Sequence, residues 1–134
     1  MANFEAQVSD IVRRSAIKLD AVIKGSLQDL VIEANTPVAK GGKMRVDTGF
    51  LRASGHMSLT GMPTGPSRGD DKETYAPSDS NVALTLAGVE AGQTVYFGWT
   101  AVYAAAREDK DGFLESALQN WQKIVDVNCR KVGG

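Results

Sequence analysis

Apolar residues recur three and four positions apart at Phe4, Val8, Ile11, Ala16, Leu19, Val22, Ile23, Leu27, Leu30, Val31 and Ala34. That is the spacing of one face of an α-helix, so a long helix is expected over residues 1–36. Arg13, Arg14, Lys18, Asp20, Lys24 and Asp29 mostly fall on the opposite face. Gly25 interrupts the pattern at a cost of about 1 kcal/mol relative to alanine and marks either a bend or a close contact. Thr36-Pro37 ends the helix, because the residue before a proline is pushed out of the α region.

Beyond it, Ala39-Lys40-Gly41-Gly42-Lys43 reads as a flexible basic connector leading to residues 44–54, Met-Arg-Val-Asp-Thr-Gly-Phe-Leu-Arg-Ala-Ser. Asp47 and Thr48 are short polar residues that bond backbone N–H groups in turns, and Gly49 admits backbone angles other residues resist. A tight turn with one short helical turn through Phe50 to Ala53 follows. A strand is expected over Ser54–Thr60, with Met57 and Leu59 on one face.

Residues 61–80 combine three prolines, three glycines and a charged cluster, which predicts a long loop, mobile or ordered by a partner. Val82, Leu84 and Leu86 alternate with Ala83, Thr85 and Ala87; Val95, Phe97 and Trp99 alternate with Thr94, Tyr96 and Gly98. Joined by residues 88–93, these predict a hairpin. Phe113, Leu114, Ala117, Leu118, Trp121, Ile124 and Val125 then outline a C-terminal helix over 112–131. The expected fold is α+β in a single domain, 1–134. The long N-terminal helix and the C-terminal helix pack on an antiparallel sheet of three or more strands spanning 54–100, with a long mobile loop.

Composition changes this picture little. A chain of 134 residues and net charge −1 is long enough for one core and carries no global field for nucleic acid or membrane. Residues 1–55 hold eight Lys/Arg against six Asp/Glu and the remainder seven against ten, an asymmetry that would suit head-to-tail packing but is small enough for chance. Cys129 is the single cysteine and His56 the single histidine, so neither a disulfide nor a Cys-based metal site forms within one chain. Charged residues interrupt the N-terminus and no eighteen apolar residues run together, which fits a protein made in a reducing cytoplasm.

Candidate chemistry is sparse. Val46-Asp47-Thr48-Gly49 is similar to the Asp-Thr-Gly loop of aspartic proteases, where two loops share a proton between two carboxylates. Here bulky Phe50 follows the glycine and a Gly/Lys connector precedes it, so a structural turn is the better reading and no catalytic residue is assigned. Glu108, Asp109 and Asp111, like Asp70, Asp71 and Glu73, lack calcium-loop spacing; Asp109 or Asp111 is expected to favour a helix N-terminus. No cofactor and no metal are expected. His56 reads as a surface strand residue and Cys129 as a half-buried filler. Tyr96, Trp99, Tyr103 and Trp121 read as core and interface residues. Lys40, Lys43, Arg45 and Arg52 keep open a small nucleic-acid-binding module as an alternative.

Val46-Asp47-Thr48-Gly49-Phe50-Leu51-Arg52-Ala53-Ser54 resembles the Val-Asp-Thr-Gly-x-Leu-Arg-x-Ser signature of tail-completion proteins of long-tailed bacteriophages, a group also described as minor tail or neck proteins. Tyr103-Ala104, Glu108, Gly112-Phe113-Leu114, Ala117 and Trp121 resemble the same family's closing segment. The order of elements agrees over nearly the whole chain, although Phe97-Gly98-Trp99-Thr100 precedes Tyr103 where the family places a Phe-Gly-Thr after it.

The resemblance implies a non-enzymatic structural subunit of the virion, assembled in the host cytoplasm. It would form a homo-oligomeric ring, expected to be hexameric, that completes or terminates the tail and joins it to the head connector. Its partners would be the tail tube and the connector or adaptor proteins, with DNA passing through without sequence-specific binding and no membrane involved. A head-closure or adaptor subunit on the capsid side is the alternative within this class. The expected motif and interface residues are Asp47, Thr48, Gly49, Leu51, Arg52, Tyr103, Glu108, Phe113 and Trp121. Among them Asp47 and Thr48 hold the turn, Gly49 permits it, Leu51 docks it on the core, and Arg52 bonds across the helix–sheet junction or to a neighbour.

Overall fold

The first helix, α1, runs Ala2–Asn35, about 50 Å at 1.5 Å per residue. The computed structural model describes residues 2–69, 74–75, 80–90 and 92–133, with side chains from Gln7 onward. Among the described side chains of α1 the buried ones, Val22, Ser26, Val31 and Ala34, lie in its C-terminal half. From Gln7 to Ala21 every residue is exposed except Asp10, which is half-buried. Asp10 is held by Arg13 at 2.6 Å and Arg14 at 2.8 Å, and Asp20 by Lys24 at 3.1 Å, ion pairs one turn apart that support the exposed stretch modestly.

The connector is a closed loop. Val38–Lys40 makes a short 3-10 turn, Gly41 adopts the left-handed region at φ 90°, and the Val38 N–H donates to the Met44 carbonyl at 3.0 Å. Met44, wholly buried, anchors the far end. A four-residue helix, α2 (Phe50–Ala53), leads into β1 (Gly55–Ser58), which pairs antiparallel with β2 (Tyr96–Trp99) in the register Met57 opposite Phe97.

Among the described residues the sheet has these two strands alone, which corrects the expected three or more. The segment read as the first strand of a hairpin is a helix, α3 (Ser80–Ala87). Val82 and Leu86 are buried and Leu84 is 74% exposed, so the true spacing is four, not two. Asn81 shows why no third strand is required at that edge. Its side-chain oxygen accepts the Met57 N–H at 2.7 Å and its amide donates to the Met57 carbonyl at 3.2 Å, satisfying the outer edge of β1 as a neighbouring strand would.

The C-terminal segment corrects a second expectation. A further helix, α4 (Ala104–Asp111), comes first, and in place of one helix over 112–131 there are two, α5 (Phe113–Gln119) and α6 (Trp121–Lys131). Gly112 separates the first two in the left-handed region at φ 65°, and Asn120, whose amide donates to Glu33 at 2.6 Å, separates the last two. Cys129 is exposed, not half-buried. Helices α5 and α6 pack along the second half of α1. Where α1 crosses α6, Gly25 lies against the side-chain oxygen of buried Asn128, whose amide donates to Asp29 at 2.9 Å and to the Ile124 carbonyl at 2.9 Å.

Two core clusters result. One joins Val31, Met57, Val82 and Leu86; the other joins Met44, Phe50, Leu51, Ala101 and Phe113. Of the expected 61–80 loop, residues 61–69 and 74–75 are irregular and Ser80 already belongs to α3. The Ser67 carbonyl accepts Val102 N–H at 2.8 Å, and Tyr75 N–H donates to the Thr48 carbonyl at 2.7 Å, so these parts are tied to the body. The expected mobility of the rest, and the Asp70, Asp71 and Glu73 cluster, lie outside the described residues.

Candidate functional site

The turn from Arg45 to Arg52 walls a cleft of about 640 Å³ closed on its other side by Tyr103 and Arg107. Local chemistry shapes the turn. Gly49 sits at φ 89°, in the region glycine enters without penalty, and a Cβ there would come 2.7 Å from the Tyr75 carbonyl oxygen. The Thr48 hydroxyl accepts the Phe50 N–H at 3.3 Å. Asp47, expected to hold the turn together with Thr48, is instead exposed and forms no hydrogen bond among the described residues; its carboxylate acts on Tyr103 by charge.

Leu51 and Phe50 enter the core beside Phe113, and Tyr75 meets Phe50 edge-on at 5.2 Å. Ser54, the last residue of the motif, locks the turn to the end of β2. Its hydroxyl donates to the Leu51 carbonyl at 2.7 Å and accepts the Ala101 N–H at 3.2 Å, and its carbonyl accepts the Thr100 N–H at 3.2 Å. Ser54 follows the helix-starting Gly49 by five residues; its long-range partner does not show in sequence.

Next to Arg107 on α4, the two oxygens of Glu108 accept the N–H groups of Leu114 and Glu115, each at 2.9 Å. The capping carboxylate of α5 is therefore Glu108, in place of the expected Asp109 or Asp111. Asp111 instead binds Arg107, with Nη2 at 2.6 Å from one oxygen and Nε at 3.0 Å from the other, a pairing that the four-residue helical spacing allows. Phe113 is buried and stacks edge-on with Trp99 at 4.9 Å. The Trp99 indole donates to Asn35 at 2.8 Å, fixing the end of α1 to the sheet. Trp121 lies away from the cleft, 36% exposed at the start of α6.

Arg52 is half-buried and forms no hydrogen bond or ion pair among the described residues; its Nε is buried without an acceptor. An unmet buried donor costs about 1–3 kcal/mol and is rare. The Tyr103 hydroxyl has its pKa raised above the ordinary 10, first by burial and then by the Asp47 carboxylate, with the Leu51 backbone N–H pulling the other way. The four basic residues considered for nucleic acid divide between two hollows. Arg45 and Arg52 line the cleft, while Lys40 and Lys43 border a smaller one beside Phe113 and Asn120.

Among the described residues no three or more His, Cys, Asp or Glu side chains gather closely enough to hold a metal ion, and no helix is long and apolar enough to cross a membrane. The arrangement offers guanidinium donors and one carboxylate in a concave surface, chemistry suited to recognising a charged group. No family model, no curated protein and no solved structure matches this chain.

Proposed function

We propose that this chain is a structural subunit of the head–tail junction of a long-tailed bacteriophage, working by packing against copies of itself and against neighbouring tail and connector proteins. In this reading six copies form a ring that completes or terminates the tail and passes the DNA through its centre. The observation that carries the proposal is the meeting of the two segments that resemble the tail-completion signature. Separated by some fifty residues in sequence, they make one unit: Leu51 and Phe113 share a core, Tyr103 lines the same cleft as the 45–52 turn, and Glu108 caps the helix that carries Phe113. Leu51, Phe113 and Glu108 each have a structural task in that unit.

The projecting half of α1 supports the same reading. Val8, Ile11, Val12, Leu19 and Ile23 are 45–62% exposed. They fall within about 120° of one another around the helix, on the side that Val22 and Ala34 bury further on, while Ile17, also exposed, lies on the other side. An apolar stripe of this length on a free helix is a surface built to be covered, and neighbouring subunits of a ring are its natural cover.

The test is complementation of particles whose gene for this chain is disrupted. Heads and tails that remain unjoined, or tails without a proper upper end, and that regain infectivity when purified protein is added, are the expected result. Normal joined particles in the absence of the protein would overturn the proposal.

A further inference from the structure

We infer that the free edge of β2 is a pairing surface for a second copy of this chain, which joins it antiparallel through its own β2 to make one continuous sheet across the pair. The inference goes beyond the ring reading and uses a different surface from the α1 stripe. The Thr100 N–H donates to the Ser54 carbonyl at 3.2 Å. The alternation of an antiparallel ladder then turns the backbone groups of Gly98 and Tyr96 toward β1 and those of Phe97 and Trp99 away from it. Among the described residues no hydrogen bond reaches the backbone N–H or carbonyl of Phe97 or Trp99.

The two edges of the sheet are finished differently. On β1 the Asn81 side chain closes the outward groups of Met57, and α3 packs alongside. No helix lies along β2 in the same way. All four residues of β2 are partly exposed, Gly98 included, and what a glycine exposes is backbone. Natural sheets blunt an open edge with charge, proline or a bulge. Residues 92–102 hold no charged residue and no proline, so nothing in that stretch turns a second strand away.

The occupant follows from complementarity. Outward N–H and C=O groups in this alternation are met by another extended strand with the same alternation. Among the described residues the chain has one such open edge, β2 itself, because Asn81 closes the other. With Phe97 opposite Phe97 of the second copy, each N–H donates to the other's carbonyl, and Trp99 exchanges its bonds with Val95 of the copy. Tyr96 then stands opposite Gly98 of the copy, where its ring covers a position without a side chain; the flexible end of Met62 is what lies nearest that glycine within the chain. With no charge on the strand, two copies meet there without repulsion.

The experiment uses the purified full chain, diluted from millimolar to micromolar in the analytical ultracentrifuge. Isotope-filtered NOE spectra are recorded on a mixture of labelled and unlabelled chain. The expected result is a monomer–dimer equilibrium with intermolecular Hα–Hα contacts between Tyr96 and Gly98, and amide exchange at Phe97 and Trp99 that slows as the dimer forms. Tyr96→Lys should weaken the dimer about tenfold, by bringing like charges together across the twofold and removing the ring from Gly98. A mixture of Tyr96→Lys and Tyr96→Glu should recover it, with amide spectra away from residues 94–100 as the check that both variants are folded.

A chain that stays monomeric throughout, a dimer whose intermolecular contacts fall on α1, or full dimer affinity in Tyr96→Lys would each overturn the inference. Equal protection of the Phe97 and Trp99 amides at every dilution would do the same. None of these outcomes bears on whether the protein joins heads to tails, which the complementation test reads separately.

Discussion

The carboxylate of Glu108 reaches over Gly112 and takes the backbone N–H of Leu114 at 2.9 Å. With its second oxygen on Glu115, it satisfies two of the free donors at the start of α5 and so holds Phe113 at the angle that puts its ring in the core. Glu108→Ala should lower stability by about 0.5–2 kcal/mol, the usual worth of a helix cap. Glu108→Gln, which keeps one acceptor oxygen, should lose less. Urea denaturation of the three proteins reads the order directly; equal stability of the alanine variant and the parent would show that the bonds carry no weight.

Gly49 is the second pressure point. Its positive φ and the Tyr75 carbonyl beneath it both exclude a side chain. Gly49→Ala should cost at least the 1–2 kcal/mol of a left-handed alanine, with a further loss from the displaced Tyr75 backbone, visible as a fall in thermal midpoint and disturbed amides around Thr48. The Asp47 side chain makes no bond in the turn, so Asp47→Asn should leave the midpoint within about 0.5 kcal/mol of the parent.

At the crossing of α1 and α6, Gly25→Ala would ordinarily favour the helix by up to about 1 kcal/mol. Here the added methyl meets the side chain of Asn128, which two hydrogen bonds hold in place. A net loss of about 1–3 kcal/mol is expected from overpacking. Combined with Asn128→Ala, the same Gly25→Ala change should cost less than it does alone; a double-mutant cycle without such coupling would contradict the close contact.

Tyr103 gives a pH signature. Its pKa is raised in the folded chain by burial and then by Asp47, so the folded state holds the proton longer than the unfolded state does. The stability this represents is complete below the unfolded value of 10 and is lost as pH rises through the higher folded value. In an absorbance titration at high pH, a late-ionising component should disappear in Tyr103→Phe and move down in Asp47→Asn. Identical titration curves in the parent and Asp47→Asn would remove Asp47 as a cause.

Ile11→Glu with Leu19→Glu separates fold from assembly. Both side chains are exposed on α1, 56% and 60%, so the isolated chain should keep its stability within about 0.5 kcal/mol. Incorporation into particles, measured by sedimentation with tails, should be lost. Normal incorporation would show that this stripe is not a subunit contact.

The long helix, the 46–54 turn and the use of Met57 and Phe113 in the core were legible because each rests on local pattern or turn chemistry. Helix α3 was misread because Val82 and Leu86, four apart, satisfy both a strand's period of two and a helix's period of 3.6; only Leu84, outward in the structure, distinguishes them. The break at Asn120 was hidden because Ala117 and Ile124, seven apart, would share a face of an unbroken helix too. Nothing local in sequence reveals that Asn81 will occupy the edge of β1, or that Glu108 and not Asp109 or Asp111 will cap α5. In the cleft, the turn residues were visible, while Arg107 and the unpaired state of Arg52 emerge only when α4 is folded against the turn.

Cryo-electron microscopy of the tailed particles, with this chain located and its copies counted, tests the central claim most directly. A ring of identical copies between tail tube and head connector is the expected result, with the projecting half of α1 covered by neighbouring subunits. Particles complete at the neck with no density for this chain would contradict it.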